Sequence, residues 1–136
     1  MSDLHRLLLL AAVTALPFAP GRAADDPLAP YRWKNRVLVA MAPSRSDPSL
    51  VAQRRIVADL GAAGRERDLV LVEATDDTPL GAALRRRFGG GTGFKVVLVG
   101  KDGGEKLAAA EPLGRAALFP LIDAMPMRRD EMRRRP

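Results

Sequence analysis

The chain has 136 residues, 47% hydrophobic and 28% charged, and its 22 Lys and Arg against 16 Asp and Glu give a formal net charge of +6. That length suits one domain, and the apolar content excludes a long disordered protein. There is no cysteine and a single histidine, His5, which excludes disulfide scaffolds, thiolate nucleophiles and Cys/His zinc clusters.

The first element reads as an export signal spanning residues 1–23. His5 and Arg6 precede an apolar run from Leu7 to Leu16, Pro17 and Pro20 break the helix, and Gly21 and Ala23 supply small side chains for cleavage after Ala23. Cleavage after Ala24 would place Arg22 where a small residue is needed. The run is short for a bilayer span, so an uncleaved anchor is the alternative and no integral span is expected after cleavage. The expected location is periplasmic or secreted. Cleavage also removes His5, leaving a mature chain with neither imidazole nor thiol. A Ser-His-Asp triad, a Cys-His pair, a CxxC centre and a usual zinc site are thereby excluded. No metal or cofactor is expected, and carboxylates, amines and hydroxyls are the chemistry that remains.

A proline-punctuated leader, residues 24–36, ends in YRWKNR and introduces a first strand, Val37 to Ala42, whose continuous apolar character suits burial on both faces. Pro43 ends it. Asp47-Pro48 then has the chemistry of a helix start, and Leu50, Ile56, Val57 and Leu60 share one side of a covering helix that runs to about Gly64. Leu69 to Ala74 forms a second strand, parallel to the first through a crossover. Thr78-Pro79 starts a short helix with Leu80, Leu84 and Phe88 on one side. A third strand, Phe94 to Val99, turns through Gly100 to Gly104 into an antiparallel fourth, Glu105 to Ala109, because Asp-Gly accepts the positive backbone angles of a tight hairpin. The last segment, about Gly114 to Met125, is an amphipathic helix that Pro120 kinks or delays. The end, MRRDEMRRRP, reads as a frayed basic tail, residues 128–136.

The order β-α-β-α-β-β-α predicts one α/β domain, residues 37–127, with a central mixed four-stranded sheet and thioredoxin-like connectivity. On WKNRVLVAMAPS, VVLVGKDGGEKL and LFPLIDAMPMRRDEM, the chain resembles an exported bacterial domain family of unknown function with a thioredoxin-like fold. A related domain occurs in vertebrate matrix and sushi-repeat proteins. Gly89 to Gly91 and Pro120 depart from the family pattern. The resemblance implies fold and export but no activity.

In thioredoxin-like proteins the reactive cysteines lie where the first strand meets the first helix. Here that place holds Ser44, Arg45, Ser46 and Asp47, and a serine without a neighbouring base ionises too weakly to replace a thiolate. Redox chemistry is excluded, while Ser44, Arg45, Ser46, Asp47 and Thr92 form a candidate binding site for a carboxylate, phosphate or peptide at a helix N-terminus. GGGTGF follows a helix and opens a strand, the reverse of a phosphate loop. It is the entry to the third strand, beside the Ser44 loop, where related folds place a cis-proline that this chain lacks. Asp76 and Asp77 read as turn residues. Trp33, among Tyr31, Arg32, Lys34 and Arg36, reads as a lid on the core edge, since export argues against nucleic acid as a partner.

Lysine appears only at Lys34, Lys95, Lys101 and Lys106, an arginine bias that fits GC-rich coding better than phosphate binding. Weak contact with anionic surfaces is expected through Arg128, Arg129, Arg133, Arg134 and Arg135. The functional expectation is an exported, non-catalytic binding or structural module with an envelope or extracellular ligand. The alternatives are an envelope enzyme using carboxylates or hydroxyls, and a degenerate relative of peroxiredoxin-type oxidoreductases.

Overall fold

In the computed structural model, residues 26–136 are described, and the expected export signal with its cleavage site lies outside them. Four strands and four helices follow in the order β1 (Arg36–Ala42), α1 (Pro48–Glu66), β2 (Leu69–Thr75), α2 (Pro79–Phe88), β3 (Lys95–Val99), β4 (Glu105–Ala109), α3 (Arg115–Asp123) and α4 (Pro126–Arg134). A 3-10 turn, Ala29–Tyr31, precedes them.

The strands lie in the order β2-β1-β3-β4. β1 and β2 are parallel, while β1 with β3 and β3 with β4 are antiparallel. That order and those directions make this a thioredoxin-like mixed sheet. All seven residues of β1 are buried, as its unbroken apolar run requires for a central strand covered on both faces.

Because side chains alternate along a strand, the sheet feeds two cores. Leu38, Val96 and Leu98 join Leu60 of α1 and Leu118, Phe119 and Ile122 of α3 on one face. On the other, Val37, Val39, Met41, Val97 and Val99 pack with Leu84 of α2 and Leu28. Phe119 also carries two guanidinium groups over its ring, Arg67 at 3.8 Å and Arg115 at 4.9 Å from the centroid.

Proline and cap chemistry set the helix starts. Asp47 caps α1 and Thr78 caps α2, and each is followed by proline in the first turn. Pro120 stays inside α3, five residues beyond its first residue, where it withdraws one backbone donor without dividing the helix. α1 instead contains the irregularity, at Gly61 with φ +52°.

Two expectations are corrected. The end of the chain is helical, and Arg128, expected on a solvated tail, is only 1% exposed. Its Nη2 donates to Glu66 Oε1 at 3.1 Å and its Nε to Asp123 Oδ1 at 3.2 Å, so burial is compensated by charge pairing. Arg128 is therefore unavailable to an anionic surface, whereas Arg129, Arg133, Arg134 and Arg135 are exposed. Trp33 is no lid: it is 65% exposed, with φ +67°. Its amide donates to Lys101 O at 2.7 Å, which fixes the backbone and leaves the indole outside the core.

Candidate functional site

The start of α1 lies at the sheet end where β1 finishes and β3 begins, since Met41 pairs with Lys95. The Ser44 loop and the loop leading into β3 therefore share one end of the sheet. Ser44, Arg45 and Ser46 are exposed there, as is Thr92 in the second loop. Ser44 Oγ and Ser46 Oγ are 3.1 Å apart and share a hydrogen bond.

Asp47 behaves differently from these four. Its Oδ1 accepts from Ser49 N at 3.0 Å and from Leu50 N at 3.1 Å, while Val51 N donates to its backbone carbonyl. Pro48 has no amide hydrogen to offer. The first turn of α1 thus has no free donor, because Asp47 caps it as the Asp47-Pro48 pair predicts. The chain has supplied its own carboxylate.

Arg85 organises the neighbouring loops. Its Nε donates to Asp76 Oδ1 at 2.9 Å and its Nη2 to the Gly93 carbonyl, tying the β2–α2 turn to the glycine-rich entry of β3. Asp76 N in turn donates to Ala42 O at 3.0 Å, which fixes that turn to the end of β1. Within the entry loop Gly90 has φ +102°, and a Cβ there would lie 2.4 Å from Lys95 Cδ. Lys95 Nζ donates to Phe88 O at 2.7 Å across the same gap. Asp76 and Asp77 form a turn, with Asp76 paired to Arg85.

On the outer side of α1, Arg54 Nε donates to Glu73 Oε1 at 2.9 Å, and its Nη2 reaches Arg45 O at 3.4 Å. The bond it donates to Glu73 is the main cause of the raised Arg54 pKa. Among the described residues, no group at this end combines a nucleophile with a base. The serine hydroxyls meet each other, and the nearest carboxylate caps the helix.

The opposite sheet end carries a feature that sequence reasoning missed. A cavity of about 410 Å³ opens between the β3–β4 turn and the corner joining α3 to α4. Leu121, Met125 and Met127 form its apolar side, and Lys106 lies on the other. Glu131 stands beside this end, bonded to Arg36 at 3.2 Å and to Lys101 Nζ at 2.6 Å. The signal in the sequence was Met125-Pro126, a break followed by a proline in a helical first turn. The arginine run after it obscured the helix.

Residues 27–131 match a family model described as a domain of unknown function, DUF4174. No curated protein matches the chain. Among solved structures, the reduced 2-Cys peroxiredoxin of Plasmodium vivax aligns with 17% identity and a TM-score of 0.45, covering 76% of this chain and 72% of that one. The family match takes in both loops at the β1–α1 end, all four strands, and α4 as far as Glu131, the residue that ties it to the sheet. The chain belongs to the DUF4174 family of domains of unknown function.

Proposed function

We propose that this domain is an exported thioredoxin-like module that binds or scaffolds and does not catalyse. The observation that carries the reading is the junction of β1 and α1. Where the fold type places its redox thiols, this chain has exposed Ser44, Arg45 and Ser46, followed by an Asp47 committed to capping the helix. The chain has no cysteine anywhere, so it can neither form a peroxidatic thiolate nor exchange a disulfide.

Export rests on the charged start, the Leu7 to Leu16 run and the Gly21/Ala23 spacing. No helix among the described residues is long and apolar enough to cross a membrane. Disulfide reductase and peroxidase assays on the full chain test the reading directly, with background rates expected. Turnover of insulin disulfide or of a peroxide would refute it. Amino-terminal sequencing of the protein from a periplasmic fraction tests export, and the first residue expected is Ala24.

A further inference from the structure

We propose that the cavity between the β3–β4 turn and the α3–α4 corner binds a small amphiphile with an apolar body and a single carboxylate, met by Lys106. The assignment rests on the binding half of the reading above and names a site and a ligand class for it.

A volume of about 410 Å³ matches small-ligand sites, which span roughly 300–1,000 Å³. The wall built by Leu121, Met125, Pro126 and Met127 supplies apolar contact, and unbranched methionine side chains adapt to a flexible chain. The polar side is unequal in charge, since Arg36, Lys101 and Lys106 line it with one carboxylate, Asp102. Arg36 and Lys101 are both held by Glu131, and Lys101 also by Asp68 at 2.8 Å.

Lys106 is the cation that can turn to a ligand. It pairs with Asp102 at 2.9 Å, with side chains 33% and 46% exposed, an arrangement that contributes little in water. Asp102 has an anchor of its own, because its Oδ1 accepts from Gly104 N at 2.9 Å, so the turn keeps its shape when Lys106 leaves. Gly100 makes the room: a Cβ there would lie 2.6 Å from Lys106 Cε.

These facts select the head group. A doubly charged phosphate would confront Asp102 and the nearby Glu131 with one available cation, whereas one carboxylate matches one ammonium. A neutral apolar ligand would take nothing from Lys106 beyond the exposed pair it already makes with Asp102. A cationic head would face the ammonium directly.

The test titrates the full chain with octanoate below its micellar concentration, and in parallel with octanol and octyltrimethylammonium, read by calorimetry and amide chemical shifts. Octanoate is expected to shift Gly100, Lys101, Leu121 and Met125, and to bind about tenfold or more tighter than the other two. Lys106→Ala should lose about that factor for octanoate and none for octanol, with Lys106→Arg restoring it. Met127→Trp, which fills the cavity, should block binding without relying on the charge. Equal affinity for the three probes, no binding, or shifts confined to Ser44, Arg45, Ser46 and Thr92 would each overturn the assignment. Redox turnover would sink the module reading alone, while failed octanoate binding at background redox rates would sink only the cavity assignment.

Discussion

Arg36, at the first position of β1, donates two hydrogen bonds of 3.2 Å to the carboxylate of Glu131 in α4, 95 positions later in the chain. The same carboxylate accepts from Lys101 at 2.6 Å, and Arg128, one turn before Glu131, reaches Glu66 and Asp123. With Arg67 also bonded to Asp123 at 2.9 Å, the network joins β1, the end of α1, the β3–β4 turn, α3 and α4. Arg36 and Arg128 are each 1% exposed, so their charges depend on these carboxylates staying ionised.

This network makes stability fall in acid. Burial pushes the Glu131 carboxyl up, but hydrogen bonds from Lys101 and Arg36 outweigh it and hold the group below its ordinary 4.5. At Asp123 the bond from Arg67 is the largest cause, overcoming burial with help from Arg128, and the group lies below its ordinary 3.8. A carboxyl with a depressed folded-state pKa stabilises above its unfolded value, and that contribution disappears as pH falls through the folded one. Glu131→Gln is therefore expected to lose about 2 kcal/mol at neutral pH. In urea titrations the gap between wild type and variant should close on acidification. A gap independent of pH would show that the carboxylate is not its source.

Truncations separate the structural part of the C-terminal segment from the rest. Removing residues 133–136 deletes Arg135, whose pair with Glu66 is 48% exposed on both sides, so a change within about 1 kcal/mol is expected. Ending the chain at Met125 removes Arg128 and Glu131 together, stripping Arg36 of its carboxylate partner. That shorter chain should melt well below wild type. Equal melting of the two truncations would refute a structural role for α4.

The sheet was legible because its signals are local. Continuous apolar runs marked the buried strands, Asp47-Pro48 and Thr78-Pro79 marked helix starts, and Asp102-Gly103 marked the hairpin. α4 was hidden for a physical reason. Its polar surface gives no apolar stripe, and what fixes it is charge pairing with residues such as Glu66, 62 positions from Arg128. No window along the chain shows such a pairing.

Within the candidate site, the sequence located the β1–α1 loop and the β3 entry at one sheet end, as the Met41 to Lys95 register requires. It also marked Asp47 as the cap of α1, and that cap occupies the Ser49 and Leu50 amides that an anion would need. It failed at Trp33: an aromatic beside a central strand usually covers the core, but its amide bond to Lys101 O holds the backbone where the indole faces water. The cavity at the other end needed α4 in place before it could be seen.

Gly81 is a packing requirement of α2. A Cβ on it would lie 1.8 Å from Thr75 O, a backbone atom that also accepts from Thr78 Oγ1 at 2.7 Å. Gly81→Ala must displace α2 from β2 and is expected to cost about 3 kcal/mol by overpacking. Gly114→Ala is the control, since its φ is −100° and its Cβ would meet nothing within 4 Å. Comparable melting of the two variants would contradict this packing.

Gln53 provides the last test, through a neutral polar side chain in the interior. It is fully buried in α1, donates from Nε2 to Leu113 O at 2.9 Å, and accepts from Leu113 N at 2.7 Å, so one side chain satisfies both backbone groups of the segment entering α3. Gln53→Leu keeps much of the volume but leaves that donor and acceptor unpaired, and each orphaned group costs about 1–3 kcal/mol. Gln53→Glu keeps an acceptor for Leu113 N but loses the donor, and its carboxylate would be charged in a dry site. The leucine variant should destabilise without new pH dependence, whereas the glutamate variant should recover stability as acid protonates it, the opposite trend to wild type. Amide exchange at Leu113 should accelerate in the leucine variant. Unchanged exchange there, with unchanged stability, would show that the Gln53 bridge does not hold α3 to α1.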